Sequence, residues 1–231
     1  MQAKDIRPNV SNFSQVSIKA ELKLKICEKG KSCELKSQGI AGGLGSGTFF
    51  RYKNRRAFLT AGHVCLGPTY AIWESIPKDS QVAIIVRLLS FTGKKIDAKI
   101  YYVNLKYDLC ILEVEDYEYQ NVPRISPSKP KSHSMNYSIQ APFSIFHTGM
   151  VPVLEGRYLG DHKIFSFFAM PAGPGGSGGP IYNRKNQIIG MVQRTHMAFN
   201  HITLSIKYHD LIRLLDKYIE LKEQKIEQLI E

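Results

Sequence analysis

A chain of 231 residues has room for one large domain or two small lobes. With 43% hydrophobic and 22% charged residues it has the composition of a globular protein, which excludes a mainly disordered chain, a collagen-like chain and a coiled-coil rod. The formal net charge of +11 is uneven: residues 1–60 carry +8, residues 61–120 carry −2 and residues 121–231 carry +5. Such an excess favours loose association with polyanions. Zinc-finger spacing, an aromatic RNA-binding signature and a concentrated basic tail are all missing, so no specific nucleic-acid recognition is expected. The longest aliphatic stretch, Val82-Ala83-Ile84-Ile85-Val86, is far short of the roughly 20 residues of a membrane helix, and no membrane association is expected. The N-terminal MQAKDIRPNVSNFSQ lacks the apolar core of a secretory signal. With four cysteines and no such signal, an obligatory disulfide framework is not expected.

In chain order, Ile18, Ala20, Leu22, Leu24 and Ile26 alternate with charged residues, the period of a half-buried strand. Lys29-Gly30-Lys31 turns the chain and Cys33–Leu35 returns it as a hairpin. A glycine-rich stretch from Gly39 to Gly47 follows. Short strands are then predicted over Thr48–Tyr52, Arg56–Thr60, Gln81–Leu88, Ile96–Val103 and Leu109–Val114. Pro, Ser and Lys concentrate over residues 121–138, which marks a linker. Strands resume over Tyr137–Gln140, Gly149–Pro152, Ile164–Met170, Gln187–Gln193 and Ile202–Ser205. This succession predicts an all-β chain of sandwich or barrel type. From Tyr208 the spacing of Leu211, Ile212, Leu215, Ile219, Ile226 and Leu229 predicts a helix whose last turns project from the domain.

Three stretches carry chemistry. Phe58-Leu59-Thr60-Ala61-Gly62-His63-Val64 sets a His after an apolar strand and a small-residue turn. Tyr107-Asp108-Leu109-Cys110-Ile111-Leu112 sets an Asp at the head of a buried strand. Pro174-Gly175-Gly176-Ser177-Gly178-Gly179-Pro180 sets a Ser in a glycine-rich turn. Each alone is commonly a structural His, a capping Asp or a plain loop. Together they supply a weak nucleophile, a base to take its proton, a carboxylate to orient the base, and glycines that can turn backbone N–H groups toward a developing oxyanion. Gly175 to Gly179 also fits the G-x-S-x-G elbow, but that fold needs an acid and then a His after the Ser, and no acid lies between Ser177 and His209. A cysteine nucleophile is excluded because the turn carries Ser. His196, His201 and His209 do not form a metal-ligand set, and neither metal nor cofactor is expected.

These three stretches resemble the signatures of chymotrypsin/trypsin-like serine proteases, and Gly45-Ser46-Gly47-Thr48-Phe49 is similar to the strand before the His in the Deg-type and viral branches. The resemblance spans about residues 43–207. It implies two six-stranded antiparallel β-barrels with the functional residues in the cleft between them, here followed by a C-terminal α-helix. The parts would be a basic N-terminal extension with a β-hairpin (1–38), an N-terminal barrel (39–120), a linker (121–136), a C-terminal barrel (137–207) and the helix (208–231). It implies His63 as general base, Asp108 as its orienter, Ser177 as nucleophile, and the N–H groups of Gly175 and Ser177 as oxyanion hole. Pro171, Ala172, Gln193, Arg194 and Thr195 would bind substrate, with no acidic residue to favour Lys or Arg and a preference for a small or medium apolar residue.

Position 176 is Gly, so the ion pair that the digestive branch makes after zymogen cleavage cannot form. Cys65 and Cys110 are expected as buried free thiols, and Cys27 and Cys33 to pair only in an oxidising setting. The implied function is a serine endopeptidase acting on a polypeptide substrate through an acyl-enzyme. Its compact size and lack of a signal resemble virus- or phage-encoded and bacterial intracellular members, so a cytoplasmic or virion setting and processing of viral or phage proteins are expected by analogy. Some 24 residues after Lys207 leave no space for a PDZ-like domain. The alternative is an interaction module that keeps the fold with little or no activity, docking or self-associating through the C-terminal helix.

Overall fold

The computed structural model describes residues 8–26, 33–67, 69, 81–115, 121–196 and 198–227. Twelve strands close into two antiparallel barrels of six. The first is built from β1 (Phe13–Ile26), β2 (Glu34–Tyr52), β3 (Arg55–Ala61), β4 (Gln81–Ser90), β5 (Lys95–Asn104) and β6 (Leu109–Glu113), in the order β1-β2-β3-β6-β5-β4. The second uses β7 (Met135–Ile139), β8 (Val153–His162), β9 (Phe165–Ala169), β10 (Pro180–Asn183), β11 (Ile188–His196) and β12 (Phe199–Ile206), in the order β10-β11-β12-β9-β8-β7. A short helix α1 (Gly62–Leu66) follows β3, and α2 (Tyr208–Glu227) follows β12. The expected double barrel with a C-terminal helix is therefore the fold.

The patterns explain the strands. In β1 the buried Val16, Ile18 and Ala20 alternate with the exposed Lys19 and half-exposed Ser17. β1 pairs with β2 on one side and β4 on the other. The expected N-terminal extension thus supplies a strand that the first barrel needs to close. β3 and β6 pair with each other in the barrel wall, β3 lies against β11 of the second lobe, and both are buried along nearly their whole length. The strand expected at Gly149–Pro152 is instead a turn, in which His147 and Met150 exchange backbone hydrogen bonds; the strand begins at Val153. The local Val-Pro-Val run gave the right propensity, but Pro152 cannot donate to a ladder.

One core cluster runs from the first barrel (Phe49, Phe58, Leu59, Ile111, Leu112) through Tyr182, Met191 and Ile206 of the second, to Leu211, Leu215 and Ile219 of α2. The apolar stripe of α2 is therefore spent on the chain's own barrels. Tyr52 donates to Asp216 at 2.8 Å, the Tyr101 and Tyr218 rings meet edge to face at 5.5 Å, and Lys222 pairs with Glu113. The helix is docked as far as Lys222, and Glu223, Gln224 and Lys225 are exposed; the side chain of Ile226 and the whole of Leu229, in the turns expected to project, fall outside the described residues.

Cys65 and Cys110 are joined by a disulfide rather than free. Each stands two residues beyond His63 or Asp108, and packing of α1 against β6 brings both pairs together. A disulfide persists in oxidising surroundings, which sets this bond against the cytoplasmic setting expected from sequence. Of the other pair, Cys27 lies outside the described residues. Among the described residues no helix is long and apolar enough to cross a membrane.

Candidate active site

The site forms where β3, β6, β10 and β11 meet between the barrels. β3 delivers Ala61 and hands over to α1, whose first turn holds His63 with a third of its side chain exposed. β6 begins beside it: Ala61 pairs with Leu109. Asp108, just before β6, is buried and aims its carboxylate at His63. The imidazole Nδ1 lies 2.8 Å from Oδ2 and 3.0 Å from Oδ1, and the His63 backbone N–H donates to Oδ1 at 2.8 Å. One carboxylate thus fixes both the ring and the main chain of the histidine.

Asp108 itself sits at φ 47°, in the left-handed region. An L residue pays roughly 1–2 kcal/mol for this, less for Asp than for most. Gln193 of β11 supports it from the other barrel: its Nε2 donates to Tyr107 O at 2.5 Å and to Asp108 O at 3.3 Å. Sequence placed Gln193 on the substrate edge. Its side chain is buried and turned toward the Asp108 turn, and its carbonyl accepts the Ser177 hydroxyl at 3.3 Å.

Ser177 lies in the glycine-rich turn. Gly176 N donates to Gly173 O at 2.8 Å, with Pro174 next and Gly175 at φ 87°: the signature of a type II turn. Its central peptide is anchored, because Pro174 O accepts Phe143 N at 2.6 Å. In a trans peptide the Gly175 N–H points opposite to that carbonyl, away from Phe143. Gly178, at φ 85°, has no room for a Cβ, which would fall 2.0 Å from Ser46 O and 2.2 Å from Thr60 Oγ1. That close approach seats the serine turn on the end of β3, next to the histidine.

Ser46 joins the lobes. Its N–H donates to Ser177 O at 2.8 Å; its hydroxyl donates to Gly175 O at 2.8 Å and accepts from Ala141 N at 2.9 Å. Sequence singled out the Gly45-Ser46-Gly47 run but not this hydroxyl, whose partners lie 95 and 129 residues away. The anchoring Phe143 was also missed. It lies in a 3-10 turn, Pro142–Ser144, with φ 51°, and Ser144 follows at φ 60°.

Of the remaining expected residues, Pro171 O accepts Gln140 Nε2 at 3.2 Å and Ala172 packs on the second core cluster. Arg194 is exposed with its guanidinium 5.0 Å above the Phe165 ring, and Thr195 pairs with Thr203 of β12. The structure therefore holds Asp108 against His63 and seats the Ser177 turn on the end of β3 that leads into His63.

A family model described as Trypsin-like peptidase domain matches residues 45–191, which holds all three of these residues. No curated protein matches the chain. Among solved structures it is similar to an HtrA-type protease, AlgW, with a decapeptide, at a TM-score of 0.62 and 15% identity. That similarity covers 91% of this chain but 65% of the other, so the chain spans a little under two thirds of that neighbour's length.

Proposed function

The chain belongs to the trypsin-like peptidase domain family, and on that premise we propose that it is a serine endopeptidase using Ser177, His63 and Asp108. The observation that carries the reading is the doubly held His63: a buried carboxylate on Nδ1 leaves the opposite ring nitrogen to act as base toward the serine turn seated on β3.

In this mechanism the Ser177 hydroxyl rotates from Gln193 O to His63 Nε2. His63 takes its proton as Oγ bonds to the substrate carbonyl carbon. The imidazolium is stabilised by the carboxylate of Asp108. The carbonyl oxygen gains the electron pair, and the N–H groups of Gly175 and Ser177 donate to it. Neither N–H has a backbone acceptor among the described residues, whereas those of Gly176 and Gly178 are bonded to Gly173 O and Val192 O. His63 then gives its proton to the leaving amine, and water repeats the sequence on the acyl-enzyme. Loss of a single oxyanion donor lowers the rate of such reactions by about 10²–10³.

An extended peptide is the substrate class we propose. Arg194–Thr195 would pair with its backbone by strand addition, and Pro171–Ala172, without an acidic side chain, would flank an apolar side chain. That the similar HtrA-type protease AlgW is found with a decapeptide supports a peptide ligand. Labelling with a fluorophosphonate tests the assignment. Wild-type protein is expected to label, Ser177→Ala not at all, and His63→Ala at least about 10³-fold more slowly. Equal labelling of Ser177→Ala, or none of a folded wild type, overturns it.

A further inference from the structure

The barrel ends remote from the cleft carry a second feature. β3 runs from Arg55 to Ala61, about 20 Å at roughly 3.3 Å per residue, so the Lys53-Asn54 turn lies at the opposite end of that strand from His63. β10 likewise leads away from Ser177 to the turn at Arg184-Lys185. The inter-barrel segment lies in the seam between them: Arg51 N donates to Pro123 O, Ile125 N to Arg51 O and Ser126 N to Ile188 O.

Three shallow depressions join along this seam. Two share Arg51, Lys53 and Asn54, and the third is continuous with them through Ser126 and Pro127. Among the described residues their walls hold eleven lysine and arginine side chains, six of them arginine, and one carboxylate, Glu113. Lys222 pairs with Glu113, and Lys53 with Asp216 at 2.7 Å. The other nine cations have no carboxylate partner among the described residues. Among the described residues none of the exposed large hydrophobic side chains lines the seam; Ile85, Phe143 and Phe199 all lie elsewhere.

These facts select the partner. A protein partner is held by apolar or aromatic anchors at the centre of its interface, whereas the half-buried tyrosines of the seam, Tyr52 and Tyr208, are tied to the chain's own Asp216 and Ser126 O. A phosphate backbone needs only cations at intervals, with arginine forks the better fit to phosphate oxygens. We propose that the seam binds the phosphate backbone of a nucleic acid without reading its bases. The proposal does not depend on the peptidase assignment. Because the seam and the cleft lie at opposite barrel ends, a bound strand leaves the cleft open.

The test is fluorescence anisotropy with a labelled oligothymidylate of about 20 nucleotides. Engagement of about four phosphates weakens wild-type binding about 50-fold between roughly 50 and 200 mM salt. The exposed triple variant Arg124→Ala, Arg184→Ala, Lys185→Ala is expected to bind at least about 10-fold more weakly, with a salt slope shallower by about 2. A control triple of the same charge change, Lys19→Ala, Lys95→Ala, Lys163→Ala, lies off the seam and should stay within about twofold. Equal weakening of both triples reduces the effect to net charge and overturns the site. So does the absence of binding at the low salt. Displacement of the oligonucleotide by polyglutamate at equal charge assigns the seam to acidic polypeptides and overturns the nucleic-acid class.

Discussion

At the scale of single residues, the geometry turns on side chains that hold others. Asp108 reaches His63 only while its backbone keeps a left-handed conformation, and Gln193 holds the two carbonyls that define it. Gln193→Ala is expected to cost about 1–3 kcal/mol of stability, since buried carbonyls lose their donor. It should also lower kcat about 10- to 100-fold through a displaced His63, leaving KM within about threefold. Thermal unfolding and steady-state kinetics on a reporter peptide check both; an unchanged kcat would show that the turn keeps its shape unaided. The meeting of His63 with Asp108 was legible in sequence, as was the glycine-rich turn around Ser177, because each sits in a short run that constrains its neighbours. Gln193 and Ser46 were not. Their partners are main-chain atoms 85 to 129 residues distant, and a backbone carbonyl leaves no mark in the sequence.

At the scale of elements, the turn Pro142–Ser144 controls the serine turn through one N–H. Two successive non-glycine residues in the left-handed region bring Phe143 N to Pro174 O. A β-branched residue tolerates that region poorly, whereas Asn adopts it readily. Phe143→Val is therefore expected to lower kcat by about 10²-fold with KM little changed, and Phe143→Asn to stay within about threefold of wild type. Parallel loss in both would assign the effect to the Phe143 ring, which packs on Gly173, rather than to the backbone. The elements themselves were legible to different degrees. β1 was visible from its alternation, but its membership of the barrel depends on β4, some 60 residues on, and no local pattern reports that pairing. The Cys65–Cys110 bond was missed for the same reason: its two partners, 45 residues apart, meet only once α1 packs beside β6.

At the scale of the whole molecule, α2 ties the end of the chain back to the first barrel. Asp216 is the polar centre of that tie. The Lys53 ammonium hydrogen-bonded to it holds its carboxyl below the usual range, and the Tyr52 hydroxyl adds to this. Burial and the same contact push Tyr52 up to about 12. A depressed carboxyl contributes stability that is complete above its unfolded value, about 3.9, and is lost as pH falls through the folded value. The melting-temperature gap between wild type and Asp216→Ala should stay constant from about pH 8 to 5 and close below about pH 4. A gap that persists in acid would assign the effect to packing.

The same tie gives the two lobes a ring-like connectivity. They are strung together once by the 127–134 stretch, exposed except at Pro130 and Ser134, and once by α2, and the shared core and the Ser46 contacts lie between these two strings. Severing one string of a ring opens it without parting it. A single protease nick within 127–134 should therefore leave a particle that elutes at its original size from a gel-filtration column and falls into two fragments only in detergent. Elution as separate halves would mean that the strung segment, and not the seam between lobes, carries the assembly.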